Sequence, residues 1–101
     1  MDIRIENRGN EAVIHLAGQF DMTTHAAFNR AYAPLLDKGS VRSLFLNFSA
    51  VEYIDSTALG MLLLLKRKAE KTNTSISLSG CQNHVKQVLS IANFHKKFKI
   101  V

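Results

Sequence analysis

Cysteine and proline are nearly absent: the 101-residue sequence has one of each, Cys81 and Pro34, and only five glycines. A lone cysteine excludes an internal disulfide framework and any zinc-finger spacing, and it suits a reducing cytoplasm. With so little proline and glycine there is no composition for an interdomain linker. No low-complexity tract and no internal repeat is present either. Long apolar runs are missing too. The longest, Ala58 to Leu65, is broken by Gly60 and falls far short of the roughly 18 residues of a membrane span. Met1-Asp2-Ile3-Arg4 does not open a secretory signal. What remains is 47% hydrophobic and 21% charged, the balance of a soluble globular domain rather than a disordered chain. A split into two domains would leave each core too small to hold without disulfides or metal. One domain over residues 1–101 is expected, in the cytoplasm.

Negative charge is the scarcer sign. The net charge is +5 and the pI about 9.7, a balance that raises nucleic-acid or membrane-surface binding as possibilities. The cations gather as Lys66-Arg67-Lys68 with Lys71, and as Lys96-Lys97 with Lys99. The first group ends a helical pattern, where cations suit the negative end of the dipole. Neither is interleaved with aromatics, so specific nucleic-acid readout is not expected. A solvated basic face is the plainer reading, and a patch for an acidic protein is the next.

Periodicity gives the order of elements. Ile3 and Ile5 alternate with polar neighbours in a first strand, and Asn7-Arg8-Gly9-Asn10 is turn chemistry. Val13, Ile14, Leu16 and Ala17 form a second strand, hairpin-paired with the first, which the chain leaves from Gly18 to Thr23. Thr23 or Thr24 caps a helix carrying Phe28, Ala31, Tyr32, Leu35 and Leu36. Pro34 predicts a kink or an irregular last turn, and Gly39 a stop. Leu44 to Phe48 reads as a strand covered on both faces, followed by a connection through Ser49 to Asp55. Thr57 to Glu70 reads as a helix whose Leu59, Leu62, Leu63, Leu64 and Leu65 cover most of its circumference, so burial is expected all round. Ile76 and Leu78 alternate with serines in another strand, and Gly80 turns the chain. Asn83 caps a helix with Val85, Val88, Leu89 and Ala92 on its core side. Phe98 and Ile100 make a last short strand. Strand–helix–strand units imply parallel pairs with right-handed crossovers. The fold class is therefore α/β: a mixed sheet of four to five strands with helices packed on it.

Catalytic chemistry is hard to find. His15, His25, His84 and His95 stand at no metal-binding spacing from one another or from Cys81, and read as surface or cap residues. There is no phosphate-binding glycine loop and no nucleophile elbow. Cys81 has no partner to activate it and reads as a structural thiol. No cofactor or metal is expected. The informative segment is Tyr53-Ile54-Asp55-Ser56-Thr57-Ala58-Leu59-Gly60, a carboxylate and two hydroxyls where an apolar helix begins. Asp55 or Ser56 can serve as an N-cap. A helix N-terminus also offers free N–H groups and a favourable dipole to a phosphate, and the two readings are compatible.

Asp55-Ser56-Thr57-Ala58-Leu59-Gly60 resembles the Asp-Ser-Ser/Thr-Gly/Ala-Leu-Gly signature of STAS domains, specifically of anti-sigma-factor antagonists. Gly18-Gln19-Phe20-Asp21 resembles that family's Gly-x-Leu/Ile/Phe-Asp after the second strand, Leu44-Phe45-Leu46-Asn47-Phe48-Ser49 resembles its apolar strand ending in Leu-Asp-Leu/Phe-Ser, and the element order agrees over essentially the whole chain. The resemblance implies a bacterial partner switch rather than an enzyme. Ser56, or alternatively Thr57, would be phosphorylated by an anti-sigma-type serine kinase and dephosphorylated by a metal-dependent serine phosphatase. The unmodified form would bind the kinase and free its client. Asp21, Asp55, Ser56, Thr57, Leu59 and Gly60 would form the partner surface of a monomer. Asn47 departs from a frequent Asp. Ala58 departs from a common Gly and favours the helix by roughly 1 kcal/mol. A non-switching STAS subunit of a lipid-transport ATP-binding-cassette complex is the alternative, and the client could equally control biofilm, motility or secretion. A small enzyme or a nucleic-acid binder comes last.

Overall fold

The structure, a computed structural model, describes residues 1–101. Strands β1 (Asp2–Arg8), β2 (Glu11–Phe20), β3 (Ser43–Ile54), β4 (Ser75–Ser79) and β5 (Lys99–Ile100) form one sheet, and helices α1 (His25–Asp37), α2 (Ser56–Lys71) and α3 (Asn83–Ile91) connect its parallel strands. The strands lie in sequence order, with β1 antiparallel to β2 and every later pair parallel. Each right-handed crossover thus steps in the same direction, which puts the helices on one face of the sheet. That face holds the core: Ala12, Ile14, Leu16, Leu44, Leu46, Phe48, Ile76 and Leu78 from the strands, with Phe28, Tyr32, Leu62, Leu65, Val85 and Leu89 from the helices. Lys68 of α2 lies over the Tyr32 ring of α1, its Nζ 5.5 Å from the centroid.

The hairpin, the three helices and the five-stranded mixed sheet stand where the periodicity placed them, but both central strands are longer than their hydrophobic pattern. β2 does not end at Ala17. It runs through Gly18, whose φ is +102°, to the buried Phe20. β3 does not end at Phe48 and there is no loop from Ser49; it continues to Ile54. The pairing of these two strands slips twice, between His15 and Ala17 and between Gly18 and Gln19. Each slip changes which face a side chain takes. Val51 and Ile54 are therefore buried while Ser49, Ala50, Glu52 and Tyr53 are exposed, and no simple alternation survives to be read.

The helices differ in similar ways. α1 is entered through a 3-10 turn, Met22–Thr24. Asp21, and neither threonine, supplies the side-chain cap, accepting from the Thr23 N–H at 3.0 Å. The Thr24 hydroxyl instead bonds back to the Asp21 carbonyl. Pro34 is accommodated inside α1, which carries on to Asp37. The end tightens as the Gly39 N–H reaches the Leu36 carbonyl at 3.1 Å, with Gly39 at φ +66°. α2 is not buried all round: Ala58, Met61, Leu62, Leu65 and Ala69 face the sheet, whereas Leu63 and Leu64 are each 36% exposed. With helices on a single layer, nothing lies outside α2 to cover them. α3 starts after Gln82, and Asn83 makes no capping bond.

Candidate functional site

The parallel pair β2 and β3 ends in register, Phe20 opposite Ile54. The residue after each strand is an aspartate, so Asp21 and Asp55 leave adjacent strand ends. The Asp55 N–H bonds across to the Phe20 carbonyl at 3.3 Å, which fixes the juncture. Each carboxylate caps the turn that follows it. Asp21 Oδ1 accepts from the Thr23 backbone and hydroxyl. Asp55, in extended backbone geometry (φ −110°, ψ 179°), accepts from the Ala58 N–H at 2.9 Å.

That division of labour frees Ser56. It is the first residue of α2, exposed, and not needed as the cap. Thr57 beside it is exposed as well, Leu59 is half-buried, and Gly60 is exposed with open space where a Cβ would be. Asp21 follows the end of β2, and Asp55, Ser56, Thr57, Leu59 and Gly60 follow the end of β3, its paired neighbour. The structure adds Met22, 68% exposed next to Asp21, and Leu63, one turn beyond Leu59 on α2. Neither had a local signal in the sequence beyond being apolar. Ser56 presents an exposed hydroxyl at the start of α2, directly after Asp55. Asp55→Ala is expected to lower stability by about 1 kcal/mol through loss of the cap, and Asp55→Asn by a few tenths at most. Urea unfolding of the three proteins measures this.

A second polar cluster, on the helix-free face, was not anticipated. His15 is not a surface or cap residue but half-buried within a row across three strands. Asn47 Nδ2 lies 3.1 Å from His15 Nδ1, His15 Nε2 lies 3.0 Å from Glu6 Oε1, and Asn47 Oδ1 accepts the Ser49 N–H at 2.9 Å. With the Asn47 amide donating to Nδ1, Nε2 is the ring nitrogen left to donate a hydrogen bond to Glu6. An aspartate at 47 could not donate, so Asn47 is the residue that fits this row. His15 first, and then Arg8, hold the Glu6 carboxyl below its ordinary value of 4.5. A lowered carboxylate stabilises the fold above its unfolded pKa, and that contribution is lost as pH falls through the folded value. Glu6→Gln should therefore remove part of the loss of thermal stability below pH about 4.5, measured as the unfolding midpoint from neutral pH downward.

Elsewhere the chemistry is sparse. His84 Nε2 meets the Glu52 carbonyl, and His25 and His95 are exposed. No three His, Cys, Asp or Glu side chains gather closely enough to hold a metal ion. Burial pushes the half-buried Cys81 thiol up, against a smaller opposing pull from Lys86, so it is a weak nucleophile at neutral pH. No helix is long and apolar enough to cross a membrane.

Residues 3–101 match the family model described as Mlab, STAS domain. A STAS-domain containing protein of Pseudomonas aeruginosa (strain UCBPP-PA14) is 39% identical over 92 residues, 91% of this chain and 89% of that protein. Among solved structures, an anti-sigma factor antagonist from Mycobacterium paratuberculosis superposes with a TM-score of 0.82 at 20% identity, over 98% of this chain and 83% of that one. The Bacillus cell fate determinant SpoIIAA in its phosphorylated form gives 0.77 at 18% identity, over 99% and 91%. At such identities the two solved proteins share the fold.

Proposed function

The chain belongs to the STAS domain family, and from that membership we propose that it is a partner-switching regulator gated by a phosphate on Ser56. Unmodified, the surface of Asp21, Asp55, Ser56, Thr57, Leu59 and Gly60, bordered by Met22 and Leu63, binds an anti-sigma-type serine kinase. The kinase then lets go of its other client. That client is a sigma factor, or a regulator of biofilm, motility or secretion, and the kinase determines which. The switch turns when Ser56 Oγ attacks the γ-phosphorus of ATP in the kinase site: a phosphoester forms, ADP leaves, and the hydroxyl proton passes to the kinase. A metal-dependent serine phosphatase hydrolyses the ester and resets the surface. The chain is the substrate in both steps and supplies no catalytic residue, and the reactions take place in the cytoplasm, where ATP is.

The observation that carries this reading is the exposed Ser56 hydroxyl released from capping by Asp55. A phosphate there adds about −1.5 to −2 charges. The free N–H groups and dipole of α2 accept it within this chain, so the fold need not change for the surface to change. The fold relative SpoIIAA has been solved in a phosphorylated form, which supports the same chemistry. The test is a pull-down from the native cytoplasm with wild type and Ser56→Asp as baits, read by mass spectrometry. A small serine kinase recovered by wild type and lost with the variant is the expected result. A transport ATPase recovered equally by both would overturn the switch and make this a permanent subunit of a lipid-transport complex.

A further inference from the structure

β1 is the outer strand of the sheet, with β2 on one side and no strand on the other. Its hairpin turn is Gly9-Asn10, with Arg8 opposite Glu11. A turn that short makes its flanking residues a hydrogen-bonded pair, and such pairs alternate along the ladder. Asp2, Arg4, Glu6 and Arg8 thus turn their backbone groups toward β2, while Ile3, Ile5 and Asn7 turn theirs outward. β1 contains no proline or lysine, its register with β2 has no bulge, and its charged side chains all lie on one face.

The side chains of the edge are complementary to themselves. Asp2, Arg4, Glu6 and Arg8 share the helix-free face, and their charges alternate in sign. Laid antiparallel on a second copy about Ile5, Asp2 meets Arg8, Arg4 meets Glu6, Ile3 meets Asn7, and Ile5 meets Ile5. Every charge faces its opposite. The same-face registers on either side, centred on Arg4 or on Glu6, set Arg4 or Glu6 against itself and fail. Ile5 is also a residue whose N–H and C=O point outward, so the register chosen by charge agrees with the phase required for hydrogen bonding. On the other face Ile5 is 40% exposed. It borders a groove of about 400 Å³ lined by Met1, Ile3, Ala27 and Ala31, with Arg30 as the one charge on its rim.

We infer that β1 is a contact surface for a second copy of this chain, joining two sheets edge to edge across a two-fold axis. The inference stands apart from the phosphate gate, and it departs from the monomer that the family resemblance implies. Arg8 already contacts Glu6 within the chain, so the paired edges extend an existing row of charges. A two-fold axis repeats each contact, so one substitution acts twice.

Sedimentation velocity from micromolar to near-millimolar protein tests it. Wild type is expected to pass from monomer to dimer. Asp2→Arg and Arg8→Asp, each confirmed folded by circular dichroism, should each raise the dissociation constant by about tenfold or more, because like charges then stand opposite. Mixed together, those two variants should form a heterodimer, since every pair is again of opposite sign. In wild type, the Ile3, Ile5 and Asn7 amides should gain protection from hydrogen exchange as concentration rises. This readout is independent of any variant. A monomer at every concentration, or a dimer indifferent to both substitutions with no such protection, would overturn the inference.

Discussion

Ser56→Asp is expected to bind the kinase about a hundredfold more weakly than Ser56, a loss of ~2.7 kcal/mol, with the fold untouched. The two effects separate because the new carboxylate meets two environments. Inside the chain it occupies the first position of α2, where the helix dipole favours a negative charge by about 0.3–1 kcal/mol. The neighbouring Asp55 opposes that gain, so the melting temperature should hardly move. In the complex the same carboxylate is removed from water against a surface shaped for a neutral hydroxyl. An unpaired ion so placed costs several kcal/mol, more than the cap can return. Ser56→Ala should bind nearly as well as wild type and take no phosphate at position 56. Calorimetric titration of purified kinase with the three proteins measures both claims. A chain phosphorylated at Ser56 shows whether one carboxylate stands in fairly for the ester. If that ester bound as tightly as the free hydroxyl, the electrostatic gate would be wrong.

The parts of this site differ in how visibly the sequence announces them. Asp55 and Ser56 lie in one continuous segment with a hydroxyl-rich helix start, and capping chemistry alone locates them. The pairing of Asp55 with Asp21 depends on Phe20 standing opposite Ile54, a register separated from any simple pattern by two slips. The same slips hid the far ends of β2 and β3, because each moves the apolar side chains to the other face. β4, with no slip in its pairing, is read correctly from its serine alternation. The exposure of Leu63 and Leu64 follows from a layer count, which no single helix contains. The Glu6–His15–Asn47 row joins residues 9 and 32 positions apart, and no local pattern links its members. Local chemistry was therefore legible and lateral chemistry was not, except where a family signature supplied it.

Phe20→Ala is expected to be the most damaging substitution to the fold, at about 3–5 kcal/mol. The ring is fully buried at the end of β2. It packs edge-on to Phe28 at 5.0 Å and tilted against Phe48 at 5.9 Å, so its loss opens a cavity between α1 and β3 as well as removing apolar area. A domain of this size holds about 5–15 kcal/mol in all. At about 4–8 °C per kcal/mol, the melting temperature should fall by roughly 12–40 °C. Phe20→Leu keeps most of the volume and should lose less than half as much. Ile91→Ala, at a side chain 84% exposed, should stay within about 0.5 kcal/mol. A fall of under about 5 °C for Phe20→Ala would mean that the end of β2 lies outside the cooperative unit. The consequence reaches the surface, because the Phe20 carbonyl holds the Asp55 N–H and the Phe20 side chain anchors the strand from which Asp21 emerges. Kinase affinity in Phe20→Ala, measured well below its melting point, should fall along with stability, whereas Ser56→Asp loses affinity alone. The two variants together distinguish a surface that fails because its charge is wrong from one that fails because its scaffold has loosened.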